Sequence, residues 1–262
     1  MLGKLMKYEL IAMGRVFLPM FGALIVISIV NAILGGLGLS TPQAIAIFVS
    51  VLLIIGIIVV VYVITIQRFW TNLMSNEGYL MMTLPVSIDK IILSKLFTAT
   101  IWSVVSTIVV AISIFIMASA EVNLFRLMIE SEIFTHIPFA GHEVAFLLFG
   151  IVVMTIVGSF ANILLLYACM ALGMLTNKYR ILVSVAAYIA ITTVMQVVIT
   201  VAIVLITALG GIDAIDRWAN DLVTTLSGIN GLLWIITGLS AILCVIFYIV
   251  TRFMMSRRLN LQ

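Results

Sequence analysis

Two histidines, His136 and His142, fall close to Glu130, Glu132 and Glu143, and imidazoles among carboxylates are the residue types that bind divalent metals. Solvated loop side chains are the simpler reading of that cluster. Cys169 and Cys244 sit inside long apolar runs, where they read as small core residues and give no disulfide framework. ATP hydrolysis by this chain would need a phosphate loop of the form G-x-x-x-x-G-K-[ST], and the sequence has none. An ion-driven carrier would need an ionisable group deep in an apolar segment, where burial is expensive and a charge therefore signals function. No Asp, Glu, Lys, Arg or His lies at such a depth, and no cluster of them could serve an intramembrane enzyme.

What remains is mild polarity at helical spacing. Thr155, Ser159 and Asn162 share one helix face, with Gly158 and Gly173 nearby, and Tyr188, Thr192, Gln196 and Thr200 recur every four residues in the next apolar run. Ser103, Ser106 and Thr107 do the same earlier in the chain. Small and hydroxylated residues let helices approach one another in a membrane, which is the better reading of the earlier group. Asn162 and Gln196, near the middle of their runs, could instead line a path for a substrate. An almost uncharged path suits a hydrophobic or amphipathic molecule and suits a hydrophilic ion poorly.

The elements that must carry these stripes follow from composition. Hydrophobic residues make up 65% of the 262 and charged residues 9%, with a mean hydropathy of +1.37. A soluble domain is typically about 45–50% apolar and about 25% charged, so the sequence predicts an all-α integral membrane protein. Charge-free intervals run over 16–67, 96–120, 144–177, 181–212 and 222–251. A spanning helix needs about 20 apolar residues, so the first interval holds two helices, divided by a tight turn in GGLGLSTP (35–42), and each of the others holds one. Six transmembrane helices in one domain, 1–262, are expected.

Cytoplasmic loops retain Lys and Arg. Lys4, Lys7, Arg15, Arg68, Lys90, Lys95, Lys178, Arg180, Arg252, Arg257 and Arg258 fall on one side of the predicted topology; only Arg126 and Arg217 fall on the other. Both termini are therefore expected in the cytoplasm, with outer loops at 119–143 and 210–227. The net charge of +3 reflects these topology markers and implies no nucleic-acid partner. Residues 1–17 are expected to form an amphipathic interfacial helix on the lipid bilayer surface rather than a cleavable signal, with Leu2, Leu5, Met6, Leu10, Met13, Val16 and Phe17 on one face and Lys4, Lys7 and Arg15 on the other. Glu9 falls within the apolar face, where a carboxylate is costly without a partner. Either the helix rotates locally or Glu9 pairs with a cation from a neighbouring cytoplasmic segment; a frayed anchor with Glu9 in water is the plainer alternative.

Residues 67–95 interrupt the hydrocarbon. Asn76 can cap a short helix, Pro85 ends it, and Ser87 can cap the next helix into the third span. A mere linker would be polar, but this one presents Tyr79, Leu80, Met81, Met82 and Leu84 at a water-facing position, which reads as a docking surface. Those side chains could also rest on lipid headgroups or on the protein's own N-terminal helix.

The pairing of KLMKYELIAMGRVFLPMFGALIVISIV with RFW…NEGYLMMTLPVSIDKIILSKL resembles the permease subunits of type-two ATP-binding-cassette exporters from Gram-positive bacteria. The likeness covers residues 1–96 and rests on topology beyond them. It implies that 1–17 is the interfacial connecting helix and that Glu77, Gly78, Tyr79, Leu80, Met81, Met82, Thr83, Leu84 and Pro85 form a cytoplasmic coupling helix seated in an ATPase subunit. GGIDAIDRWANDLVTTLSGING resembles the short outer helices before the sixth span of that family. The resemblance further implies two cytoplasmic ATPase subunits that bind ATP and Mg, a second permease copy or close homologue, and no cofactor or catalytic residue in this chain. The function expected is export of a hydrophobic or amphipathic peptide, drug or lipid. The alternative is a non-transporting membrane scaffold or sensor that recruits a cytoplasmic partner.

Overall fold

The computed structural model describes residues 2–74, 88–119, 141–174, 179–210 and 226–259. They form six helices: α1 (Leu2–Gly36), α2 (Ser40–Met74), α3 (Ile88–Ser119), α4 (Gly141–Gly173), α5 (Arg180–Gly210) and α6 (Leu226–Leu259). Each is long and apolar enough to cross a membrane, so the chain is a multi-pass membrane protein. The six spans lie where the charge-free intervals put them. The helices outrun those intervals: α3 begins at Ile88, where a cap at Ser87 would start it, and α2 continues to Met74, into the expected 67–95 loop. Charged residues near a span's end do not stop a helix, because its backbone bonds are already made internally. Nor does any break set 1–17 apart from the first span: α1 runs on through Pro19, although a proline there removes one backbone donor and crowds the carbonyl of Arg15.

The turn in GGLGLSTP is a Schellman cap. Gly38 takes φ 69°, the left-handed conformation that glycine adopts without a Cβ clash. The Leu39 N–H then reaches back to the Leu34 carbonyl at 3.1 Å and the Gly38 N–H to the Gly35 carbonyl at 3.0 Å, satisfying carbonyls that the end of α1 leaves open. Pro42 falls in the first turn of α2, where no intrahelical donor is needed.

The sequence gives no reason to divide the chain, but the structure falls into two compact units, Met1–Pro138 and Phe139–Gln262. In the first, α1 packs on both α2 and α3. Met13, Phe17, Phe21 and Leu24 recur at three- and four-residue spacing along α1 and form a buried cluster with Ile57 of α2. Trp102 of α3 closes this cluster, its ring 5.1 Å from Phe17 and 6.2 Å from Phe21 between centroids. Gly14 permits the approach, because a Cβ there would stand 3.1 Å from the Trp102 ring. Further along, the buried hydroxyls of Ser28 and Ser113 share a hydrogen bond between α1 and α3.

Glu9 is buried in this unit, and its partner is Lys95 of α3: the ammonium donates to Glu9 Oε1 at 2.8 Å. Of the alternatives posed by the sequence, pairing with a cation from another segment is the one found. Lys7 and Arg15 are exposed on the other side of α1. Lys4 lies in the first turn of the same helix.

In the second unit α4 is the shared element, with α5 and α6 each packed against it. Two glycines of α4 sit at close approaches. A Cβ on Gly150 would come 2.8 Å from Leu233 Cδ2 of α6, beside Trp234, whose ring stacks on Phe146 at 5.4 Å. A Cβ on Gly173 would meet the Ser184 hydroxyl and, at 2.6 Å, the Arg180 carbonyl of α5. The helix half between them is the best buried in the unit, with Ile163, Leu164, Tyr167, Ala168, Cys169 and Met170 all out of solvent.

Candidate functional site

Because α5 and α6 both pack on α4, a groove opens between them with α4 as its floor. Its volume is about 650 Å³. Gly158, Ala161, Asn162 and Leu165 come from α4; Tyr188, Thr192, Met195, Gln196, Ile199 and Thr200 from α5; Ser240, Leu243 and Phe247 from α6. At a rise of about 1.5 Å per residue, the stretch of α5 from Tyr188 to Thr200 is about 18 Å long, more than half of a hydrocarbon core about 30 Å thick. The absence of a side chain at Gly158 and the methyl of Ala161 keep the floor low.

The lining contains no charge. Its hydroxyls are largely spent on their own helices: Thr192 Oγ1 donates to the Tyr188 carbonyl at 2.7 Å, Thr200 Oγ1 to that of Gln196 at 2.8 Å, and Ser240 Oγ to that of Ile236 at 2.8 Å. Back-bonding of this kind hides the hydroxyl proton and leaves a methyl or methylene facing outward. The Gln196 carboxamide and the Tyr188 phenol donate no hydrogen bond among the described residues, so they remain able to recognise a polar group. Leu165, Met195, Ile199, Leu243 and Phe247 supply apolar wall. The groove can therefore hold a mostly apolar molecule and bond to one or two neutral polar groups on it.

Five of the seven residues expected to line a path meet here: Asn162, Tyr188, Thr192, Gln196 and Thr200. Thr155 and Ser159 do not. Thr155 lies toward the start of α4, short of the groove, with its hydroxyl on the Ile151 carbonyl at 2.8 Å. Ser159 is turned about 100° from Gly158 around the helix, and its hydroxyl bonds the Thr155 carbonyl at 2.7 Å. Sequence reasoning missed the α6 wall. A signal was there to find: Thr237, Ser240, Cys244, Tyr248 and Thr251 recur at three- and four-residue spacing along α6. On α3, Ser106 is buried and its hydroxyl bonds the Trp102 carbonyl of its own helix at 2.7 Å.

Residues Glu77 to Pro85 lie outside the described residues, as does His136. Among the described residues, no group of three or more His, Cys, Asp or Glu is placed to hold a metal ion. Cys169 and Cys244 are free thiols. No family model, curated protein or solved structure matches the chain.

Proposed function

We propose that the chain is the membrane-spanning subunit of an ATP-driven exporter for a hydrophobic or amphipathic cargo, energised by separate cytoplasmic ATPase subunits. The observation that carries this reading is the long uncharged groove of the second unit. A cargo drawn from the bilayer has its apolar part matched by Leu165, Ile199, Leu243 and Phe247, while the Gln196 carboxamide and the Tyr188 phenol serve its polar groups beside Asn162. A scaffold or sensor needs no such groove. Coupling to ATP rests on the resemblance of 1–96: the 77–85 element docks on the ATPase, which binds ATP and Mg, and two permease copies complete the path. Closure of the ATPase pair then moves the spans joined by that element, opening the path outward.

The test is selectivity. Asn162→Leu and Gln196→Leu keep side-chain size but remove the hydrogen-bonding groups, and interhelical hydrogen bonds in membranes average only about 0.6 kcal/mol. Both variants are expected to assemble normally and to shift the order in which a panel of fluorescent amphipaths is pumped into inverted vesicles. Failed assembly with an unchanged order of preference would make these residues helix–helix contacts and place the path elsewhere.

The topology proposed for this exporter has its own measurement. In a variant lacking Cys169 and Cys244, single cysteines at positions 132 and 216 should react with an impermeant thiol reagent on intact cells, and one at position 77 should react only after lysis. Labelling of position 77 on intact cells would invert the whole arrangement.

A further inference from the structure

Glu9 and Lys95 are separated by 86 residues in sequence and by 2.8 Å in space. Their side chains are 10% and 3% exposed. A buried charge is tolerated only with a partner, and removal of either one leaves the other stranded. The ammonium also reaches the Arg68 carbonyl at 3.5 Å. Since Glu9 is on α1, Arg68 on α2 and Lys95 on α3, one ammonium group touches all three helices of the first unit.

The location of this contact gives it a role. Arg68 is six residues before Met74, where α2 ends, and Lys95 is seven after Ile88, where α3 begins. At about 1.5 Å per residue, both lie about 10 Å from the helix ends that segment 75–87 connects. Segment 75–87 is covalently continuous with α2 and α3 but not with this end of α1. Apolar packing of Met13 and Phe17 also holds α1 to its neighbours, but that attraction is non-directional and permits sliding. A charge-assisted hydrogen bond at 2.8 Å has a fixed direction and length and resists it.

We propose that Glu9 and Lys95 are positioning residues: their ion pair is a clasp that makes the N-terminal end of α1 move with the two helix ends flanking segment 75–87, so that a displacement applied there is passed to α1. The source of that displacement rests on the exporter reading; the clasp itself does not.

The experiment measures the clasp on the isolated full-length chain in lipid vesicles. Spin labels at positions 7 and 90, both exposed in the native protein, report the distance between α1 and α3 on either side of the pair. With Glu9 and Lys95 intact, a single narrow distance distribution is expected. Glu9→Gln together with Lys95→Met leaves no stranded charge, so this variant should unfold at or above the parental temperature while its distance distribution at least doubles in width. Lys95→Arg keeps charge and donors and should stay narrow. A narrow distribution in the neutral double variant would overturn the clasp, and so would a broad one in Lys95→Arg. Neither result depends on an ATPase, so failure of the 77–85 element to recruit one would sink the exporter reading and leave this measurement standing.

Discussion

If the proposed exporter assembles as described, the chain carrying Tyr79→Ala and Leu80→Ala together is expected to recover at least thirtyfold less ATPase than the native chain. Truncating an apolar anchor at the centre of an interface costs about 2 kcal/mol or more, which is about thirtyfold in affinity for each anchor. Such losses are not additive, so the pair falls between that figure and its square, about a thousandfold. Neither substitution touches a residue of the six described helices, so the amount of inserted protein should not change. Cargo-stimulated ATP hydrolysis should fall with recovery. Undiminished recovery and undiminished stimulation, at equal permease amounts, would show that the ATPase docks elsewhere.

Gly173→Val should have the next largest effect, through the fold rather than a partner. The α4–α5 approach leaves no room for a Cβ: it would meet the Ser184 hydroxyl and stand 2.6 Å from the Arg180 carbonyl. A hydroxyl can rotate away, but a backbone carbonyl in the first turn of α5 moves only if the helix moves. Overpacking of this kind costs about 1–3 kcal/mol, or about 5- to 150-fold in the folded-to-unfolded ratio. Equilibrium unfolding in mixed micelles measures it. Gly173→Ala combined with Ser184→Ala should recover part of the loss, since it removes the hydroxyl and leaves the carbonyl contact. Unchanged stability in Gly173→Val would mean that α5 does not approach α4 so closely. Because α5 is one wall of the groove, a variant that folds with its helix ends parted should also show altered cargo preference.

Charge and periodicity made the six spans legible, because a bilayer demands long uncharged helices and the sequence has to supply them. Ends were less legible. Arg68 is charged yet helical, since a helix may leave the hydrocarbon without unwinding, whereas the helical start of α3 through Asp89 and Lys95 agrees with the cap expected at Ser87. The need of Glu9 for a partner could be read from one helical face, whereas the identity of that partner could not: pairing across 86 residues is set by how α1 and α3 pack. The groove shows the same divide. Tyr188, Thr192, Gln196 and Thr200 announce a face by their four-residue spacing, but Ser240 and Phe247 join them only because α4 brings α6 alongside. Thr155 and Ser159 carried the right chemistry, one at the wrong height and the other at the wrong angle.

The Schellman turn at Gly38 bears on how the protein enters its membrane. Only Leu37, Gly38 and Leu39 join α1 to α2, at most about 11 Å of extended chain against a hydrocarbon thickness of about 30 Å. Neither helix can therefore settle in the bilayer while the other waits in water on the far side. The two insert as one hairpin, and the cations near the start of α1 and Arg68 near the end of α2 hold the same side. Any change that reversed α1 would have to carry α2 across with it, so the first two spans make a single decision about orientation during biogenesis.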